Sequence, residues 1–367
     1  MSHALDGDEL ITSVDEIGEI LDLTEPEERI LNRLSEMHPI RVPEYYLSLI
    51  DEQDPEDPIR RMALPSSTES IVEGSYDTSG ELSNTILPGL QHKYKQTALI
   101  LATAECAMYC RHCFRKRLVG LPSQEILRDV DAATEYIRNH EEINNVLITG
   151  GDPFTLSTSR IGNLLEVLSN VPHLDFIRFG SRIPVTYPMR ILHDDELLEV
   201  LRNHSKAFRR LFLVTQFNHP REITEESIAA IDRLMSAGVI VNNQTVLLKG
   251  VNDDPVVLAA LQNGLVGIGV NPYYVFQCRP VARVKKTFQV PLYDGYRIVE
   301  EAKGLLNGHS KRFRYIMSHH TGKIEILGIL DGKFLFKYHQ AKNSSDQGRI
   351  FTRKVDKTSA WLDELVE

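Results

Sequence analysis

Short apolar runs rich in β-branched and aromatic residues recur through the middle of the chain: TALILAT (97–103), NNVLIT (144–149), DFIRFGS (175–181), RLFLVTQF (210–217), GVIVNNQT (238–245) and VNPYYVFQ (270–277). Between them lie segments with apolar residues at helical spacing: SQEILRDVDAATEYIRNH, SRIGNLLEVLSNV, DDELLEVLRNH, TEESIAAIDRLMSAG and DPVVLAALQNGL. Several open with a Ser, Thr or Asp cap. Alternation of strand and helix predicts a parallel sheet. Six repeats are too few for a closed eightfold barrel and suit a partial one, in which the loops after the strands' C-terminal ends build the active site. An open doubly wound sheet satisfies the same pattern.

The flanks differ. Residues 1–90 are rich in acid and proline, and EPEERILNRL and PEYYLSLIDE begin at Pro or acidic first turns, predicting a helical N-terminal region. Residues 91–282 hold the strand–helix repeats. From 283 to 367 the pattern becomes one helix, Tyr293–Leu306, then the β-like runs KIEILGIL and KFLFKYHQ, with Asp331-Gly332 as a hairpin turn. There is no internal repeat and no low-complexity tract.

Composition narrows the function. With 42% hydrophobic residues in 367, the chain has material for a buried core. No apolar run approaches the roughly 20 residues of a membrane span, and MSHALDGDEL carries neither a basic region nor an apolar signal core. The expected location is the cytoplasm. A formal net charge of −10 argues against nucleic-acid or anionic-membrane partners, which need a basic face. Arg115-Lys116-Arg117 is a local exception. Of four cysteines, three fall within eight residues, which points to a metal rather than a disulfide framework.

That segment is ILATAECAMYCRHCFRKR: a buried strand that delivers Cys106, Cys110 and Cys113 in a Cys-x3-Cys-x2-Cys loop. Three thiolates on a [4Fe–4S] cluster leave one iron open, whereas electron-transfer clusters take four cysteines. The open iron can bind the amino and carboxylate groups of S-adenosylmethionine and pass an electron to its sulfonium. A zinc site would need a fourth ligand, for which His112 or Cys278 is available. The next strand ends LITGGDP, where two glycines allow close backbone approach to a ligand.

These stretches, with HKYKQTALILAT, LITGGDPFTLS, IRFGSRIPVTYP, FNHPREIT, NNQTVLLKGVND and PYYVFQC, resemble the lysine 2,3-aminomutase family of radical S-adenosylmethionine enzymes over most of residues 91–325. The resemblance implies an α/β fold: a partial (β/α)6 barrel with the helical N-terminal region and a small C-terminal α+β extension. It also implies three cofactors, a [4Fe–4S] cluster, S-adenosylmethionine and pyridoxal 5′-phosphate. The reaction it implies is an isomerisation: a 5′-deoxyadenosyl radical takes a β-hydrogen from an amino acid held by pyridoxal phosphate, and nitrogen moves from C2 to C3. An external electron donor such as flavodoxin or ferredoxin is expected, and a homo-oligomer is compatible with it.

Carried over by position, Cys106, Cys110 and Cys113 bind the cluster, and Gly150, Gly151, Asp152, Ser157 and Gln244 line the S-adenosylmethionine site beside His112. Without the resemblance, Ser157 and Gln244 read as a loop serine and a strand-end amide. Arg115 takes the place of the arginine that grips the substrate α-carboxylate, with Lys116 and Arg117 as solvated neighbours. Lys93 and Tyr94 fall where the family has an Arg-Tyr pair at the pyridoxal phosphate, Lys93 as a phosphate contact; Thr97 replaces a second phosphate-binding arginine. Lys323, in SHHTGKIEI, is the pyridoxal lysine, after a glycine turn shortened to His319-His320-Thr321-Gly322.

Two aspartates hold the substrate's terminal ammonium in lysine-acting members. Here the first position is Arg279 and the second falls near Ser318 or His319. The guanidinium disfavours free lysine and suits a side-chain carboxylate, as in glutamate-acting relatives, unless Asp294 pairs with it. Two alternatives stand: a radical enzyme of the same lineage without pyridoxal phosphate, and a non-catalytic iron–sulfur or zinc sensor. His319 and His320 read as solvated or hydrogen-bonded rather than as metal ligands.

Overall fold

The computed structural model describes residues 10–367. The opening MSHALDGDEL therefore lies, except for Leu10, outside the described residues. A two-stranded ribbon joins β1 (Leu10–Ile11) to β2 (Val42–Pro43). All other strands form one continuous sheet in sequence order: β3 (Thr85–Leu87), β4 (Leu90–Tyr94), β5 (Thr97–Thr103), β6 (Asn145–Gly150), β7 (Phe176–Gly180), β8 (Leu211–Thr215), β9 (Ile240–Leu247), β10 (Asn271–Gln277), β11 (Arg314–His319), β12 (Gly322–Leu330), β13 (Lys333–Ala341) and β14 (Ile350–Lys354).

Strands β5 to β11 run parallel, each paired with the next. Strictly sequential order with helical crossovers is the topology of a partial barrel, since a doubly wound sheet reverses its order at a switch point. All six expected strands form. The sequence reading missed β11, a seventh parallel strand, whose RYIMSH runs on into the His319-His320 turn without a break in polarity. Antiparallel strands flank the parallel set: β3 and β4 on one edge, β12 to β14 on the other. The hairpin turn falls where expected, with positive φ at Asp331 (49°) and Gly332 (71°), the twist-matching geometry of a two-residue loop.

The crossover helices follow their apolar periodicity at Thr158–Ser169, Asp195–His204, Glu225–Ser236 and Pro255–Gly267. Two segments depart from expectation. SQEILRD stays irregular and only Val130–Arg138 is helical, started by the Asp129 cap on Ala132 N–H. PEYYLSLIDE shortens to Glu44–Leu47 because Tyr46 and Leu47 are drawn into the core.

The N-terminal region does not form a core of its own: Ile17, Leu31, Tyr46, Leu47 and Met62 share one apolar cluster with barrel residues such as Ile148, Phe179 and Leu213. A second cluster joins the last strands to the C-terminal segment, burying Trp361, Leu362 and Leu365 beside Val275, Tyr315 and Ile324. The end of the chain thus closes the side of the barrel beyond β10. No helix among the described residues is long and apolar enough to cross a membrane.

Candidate functional site

A cavity of about 350 Å³ opens at the C-terminal ends of the parallel strands. The cysteine loop follows β5. Cys106, Cys110 and Cys113 all line the cavity and none is in a disulfide. Burial holds the Cys106 thiol well above its ordinary value and raises Cys113 to about 11, reinforced by the neighbouring sulfurs. Three free thiols gathered on one cavity wall match a metal cluster, whose charge would stabilise their thiolates. Arg182 Nη1 donates to Cys110 Sγ at 2.8 Å, an N–H aimed at the sulfur.

Gly150 and Gly151 follow β6 against this loop. Gly151 N–H donates to Thr103 O at 2.6 Å and Asp152 N–H to Glu105 O at 2.7 Å. A Cβ on Gly150 (φ 129°) would collide with the Thr103 carbonyl, and one on Gly151 with that of Glu105. The glycines therefore admit the cysteine loop's own backbone, in addition to lining the cavity. Asp152 accepts from Phe154 and Arg182 N–H at 3.0 and 2.7 Å and shapes the turn; burial raises its carboxyl to about 6.

Gln244 lines the cavity from β9 and His112 from the cysteine loop. His112 Nε2 meets Asn218 Nδ2 at 3.2 Å, while Nδ1 is buried with no partner. Burial, then Arg182, lowers its pKa to about 3, so the ring is neutral. Ser157 does not reach the cavity: its Oγ accepts from Arg160 N–H at 3.4 Å and caps the helix Thr158–Ser169.

Arg115 lines the cavity with its fork already engaged, to Glu81 at 2.9 Å, Thr149 Oγ1 at 3.2 Å and Gly150 O at 3.3 Å. The expectation that Lys116 and Arg117 are solvated is overturned. Lys116 is 5% exposed and pairs with Glu69 at 2.7 Å, and Arg117 bonds Glu81 at 3.0 Å and also Glu125. Glu69 also binds Arg111 at 2.7 Å. A basic run this deep persists only with buried counter-charges. Glu69 and Glu81 supply them from the N-terminal region, and nothing in their local sequence marks that role.

The far wall carries Lys93 and Tyr94 (β4), Arg178 (β7), Arg279 (after β10) and Lys323 (β12). Lys323 Nζ sits 5.4 Å from the Tyr94 ring centroid and 5.6 Å from that of Tyr274, with Gln340 Oε1 at 3.4 Å. Burial, aided by Arg178, Lys93 and Arg279, lowers its pKa to about 7. Lys93 Nζ donates to His319 O at 2.8 Å and is likewise lowered to about 7. Arg279 donates to Ser318 Oγ at 2.8 Å and to Ser79 Oγ, lies 4.3 Å over Phe114, and is lowered to about 10 by burial. Its partners are hydroxyls rather than Asp294. Thr97 Oγ1 bonds Asn145.

Five buried polar atoms without a partner belong to residues on this one cavity: Asn84 Oδ1, Gln91 Nε2, His112 Nδ1, Arg178 Nε and Thr215 Oγ1. Buried polar groups are nearly always satisfied, so their concentration here marks a wall built for a polar ligand. His319, by contrast, is hydrogen-bonded to Thr321 Oγ1 at 2.7 Å and to Asp363 at 3.0 Å.

Comparison with known proteins agrees with this geometry. Residues 100–261 match the Radical SAM superfamily. A protein of Aquifex aeolicus named putative L-lysine 2,3-aminomutase is 42% identical over 349 residues, 95% of this chain and 93% of its own. The L-lysine 2,3-aminomutase of Acetoanaerobium sticklandii is 39% identical, covering 82% of this chain and 71% of its own. The glutamate 2,3-aminomutase of Clostridioides difficile is 38% identical, with 81% and 69% covered.

Proposed function

The chain belongs to the lysine 2,3-aminomutase family of radical S-adenosylmethionine enzymes, and on that premise we propose a pyridoxal-phosphate-dependent 2,3-aminomutase whose substrate has an anionic side chain, glutamate before lysine. The chain is an isomerase of the radical S-adenosylmethionine class, working with a [4Fe–4S] cluster and S-adenosylmethionine. The observation that carries the finer reading is the meeting of the cysteine loop and Lys323 in one cavity.

When bound, the cluster and S-adenosylmethionine supply a carbon radical, and pyridoxal phosphate supplies the conjugation that lets nitrogen pass between adjacent carbons. The chain does the rest by position. Cys106, Cys110 and Cys113 hold the cluster and Arg182 donates to one sulfur. Gly150, Gly151, Asp152 and Gln244 bound the adjoining space for the nucleotide. Lys323, near pKa 7, offers an unprotonated amine for the pyridoxal aldehyde. The apolar lining of Tyr94, Leu99, Leu147 and Val246 would help keep water from a radical.

Arg279 supports the choice of substrate. Its guanidinium faces the cavity with only hydroxyl partners, and Ser318, near the place of the family's second aspartate, is one of them. An ammonium about 4 Å away would be repelled by on the order of 4 kcal/mol at an effective dielectric of 20, nearly a thousandfold in binding. A carboxylate would be attracted by as much. We also place the enzyme in the cytoplasm, where thiols stay reduced, with a flavodoxin or ferredoxin as electron donor.

The test is anaerobic purification, cofactor extraction, and an assay with dithionite and S-adenosylmethionine on glutamate and lysine. We expect cluster and pyridoxal phosphate together, 5′-deoxyadenosine, and a β-amino product from glutamate in excess over lysine. Preference for lysine would remove the Arg279 reading. A cluster without pyridoxal phosphate would move the search to pyridoxal-independent radical reactions, which the exchange of arginine for Thr97 favours.

A further inference from the structure

The wall around Lys323 carries more positive charge than the protein neutralises. Arg115 and Arg182 also line the cavity, and each has a carboxylate partner, Glu81 and Glu222. Among the described residues Lys93, Arg178, Arg279 and Lys323 have none. Arg279 and Lys93 at least spend their donors on hydroxyl and carbonyl oxygens. Arg178 does not: Nη2 donates to Asn145 Oδ1 at 2.8 Å, and Nε is buried with no partner.

The surroundings of Arg178 lack any counter-charge. Burial lowers its pKa, and the groups acting against that are the phenols Tyr273 and Tyr274, with no carboxylate among them. Leaving a guanidinium donor unmade in a low-dielectric wall costs free energy, so such a group persists where a ligand completes it. Its place is specific. Thr97, Asn145 and Arg178 form a row across β5, β6 and β7, joined by Asn145 Nδ2 to Thr97 Oγ1 at 3.1 Å and by the Arg178–Asn145 bond. Thr97 stands opposite Tyr94, whose ring lies 5.4 Å from both Lys93 Nζ and Lys323 Nζ. Arg178 is also the charge that acts most strongly on Lys323.

We propose that Arg178, held by Asn145, binds a phosphate dianion on this wall: the phosphate of a pyridoxal group joined to Lys323. The proposal rests on the pyridoxal reading above and adds the residue that anchors the cofactor's phosphate. A dianion suits a planar cation with free donors, and Thr97 Oγ1 beside it is a neutral donor. Arg279, held by Ser79 and Ser318, is left for the substrate.

The experiment compares pyridoxal 5′-phosphate with pyridoxal, which lacks the phosphate, as ligands of the cluster-loaded protein, read by absorbance titration. The parent protein should prefer the phosphorylated form. Arg178→Met should weaken pyridoxal 5′-phosphate by about ten- to a hundredfold, the effect of one charged hydrogen-bonding partner, and leave pyridoxal unchanged. Arg178→Lys should recover part of the loss, and guards against a Met variant that fails to fold. Inorganic phosphate should compete in the parent and not in Arg178→Met. Equal loss of both ligands, or of neither, overturns the assignment. If the parent takes up neither ligand, the pyridoxal reading falls with it; if parent and variant take up pyridoxal 5′-phosphate alike, only the Arg178 assignment falls.

Discussion

The two ends of the cavity are built in opposite ways. At the cysteine end the ligands come from one loop of eight residues, and every neighbouring cation has an acid: Arg111 and Lys116 share Glu69, Arg115 and Arg117 share Glu81, Arg182 has Glu222. At the other end the basic groups come from four separate elements, and among the described residues none forms an ion pair with an acid, although Glu81 and Asp77 lie near enough to act on Lys93 and Arg279. A neutralised, hydrogen-bonded shell is rigid in the empty protein. A wall of unpaired cations is complete only when anions fill it. The first end is thus preformed for its cluster, and the second depends on what it binds.

The largest effect should come from breaking the preformed end. Cys110→Ala should abolish 5′-deoxyadenosine formation and lower iron per chain, while pyridoxal uptake at the far end persists; loss of both would mean the ends are not independent. Gly151→Ala should come close to this, since its Cβ would meet the Glu105 carbonyl and displace the loop.

Next is Lys323→Ala, which should remove the visible absorbance of lysine-bound pyridoxal phosphate and leave iron content unchanged. A retained band would place the pyridoxal lysine elsewhere. Arg279→Asp should then shift preference from glutamate toward lysine, by up to the roughly thousandfold of a reversed charge contact, read as the ratio of kcat/KM for the two amino acids. An unchanged ratio would take Arg279 out of the substrate pocket.

The pH dependence separates the ends further. Lys323 titrates near 7 because burial and its cationic neighbours disfavour the charged form. Only the neutral amine attacks an aldehyde, so pyridoxal uptake should rise as pH climbs through about 7. The unfolded chain keeps its lysine protons up to about 10.4, so the ligand-free fold should gain stability as pH rises from about 7 toward that value. Thermal melts of apo-protein with its cluster intact would check the sign; a decline over that window contradicts the buried cations. The smallest effect is Ser157→Ala, which should lower stability by about 1 kcal/mol through loss of a helix cap and leave S-adenosylmethionine affinity unchanged. A weakened affinity would return Ser157 to the nucleotide site.

Much of this was legible locally. All six expected strands and the Asp331-Gly332 hairpin formed because apolar alternation and a turn pair need no distant information. β11 escaped notice because RYIMSH sits among Lys311, Arg312 and the two histidines, where flanking charge masks its buried positions. SQEILRD looked helical by spacing, yet Leu127 N–H and Leu101 O bond instead, at 2.8 Å. Lys116 looked solvated because its acid, Glu69, is 47 residues away.

The sequence by itself determined the cysteine triplet, the Gly-Gly turn, the parallel strand order and the presence of Arg279 after β10, since each depends on residue type and short spacing. Only the tertiary structure decided which charges are paired. Glu69 and Glu81 reach the basic run, and Lys93, Arg178, Arg279 and Lys323 meet, only when the curved sheet brings β4, β7, β10 and β12 around one cavity. Electrostatic pairing is a matter of distance in space and of desolvation, and neither is set by position along the chain.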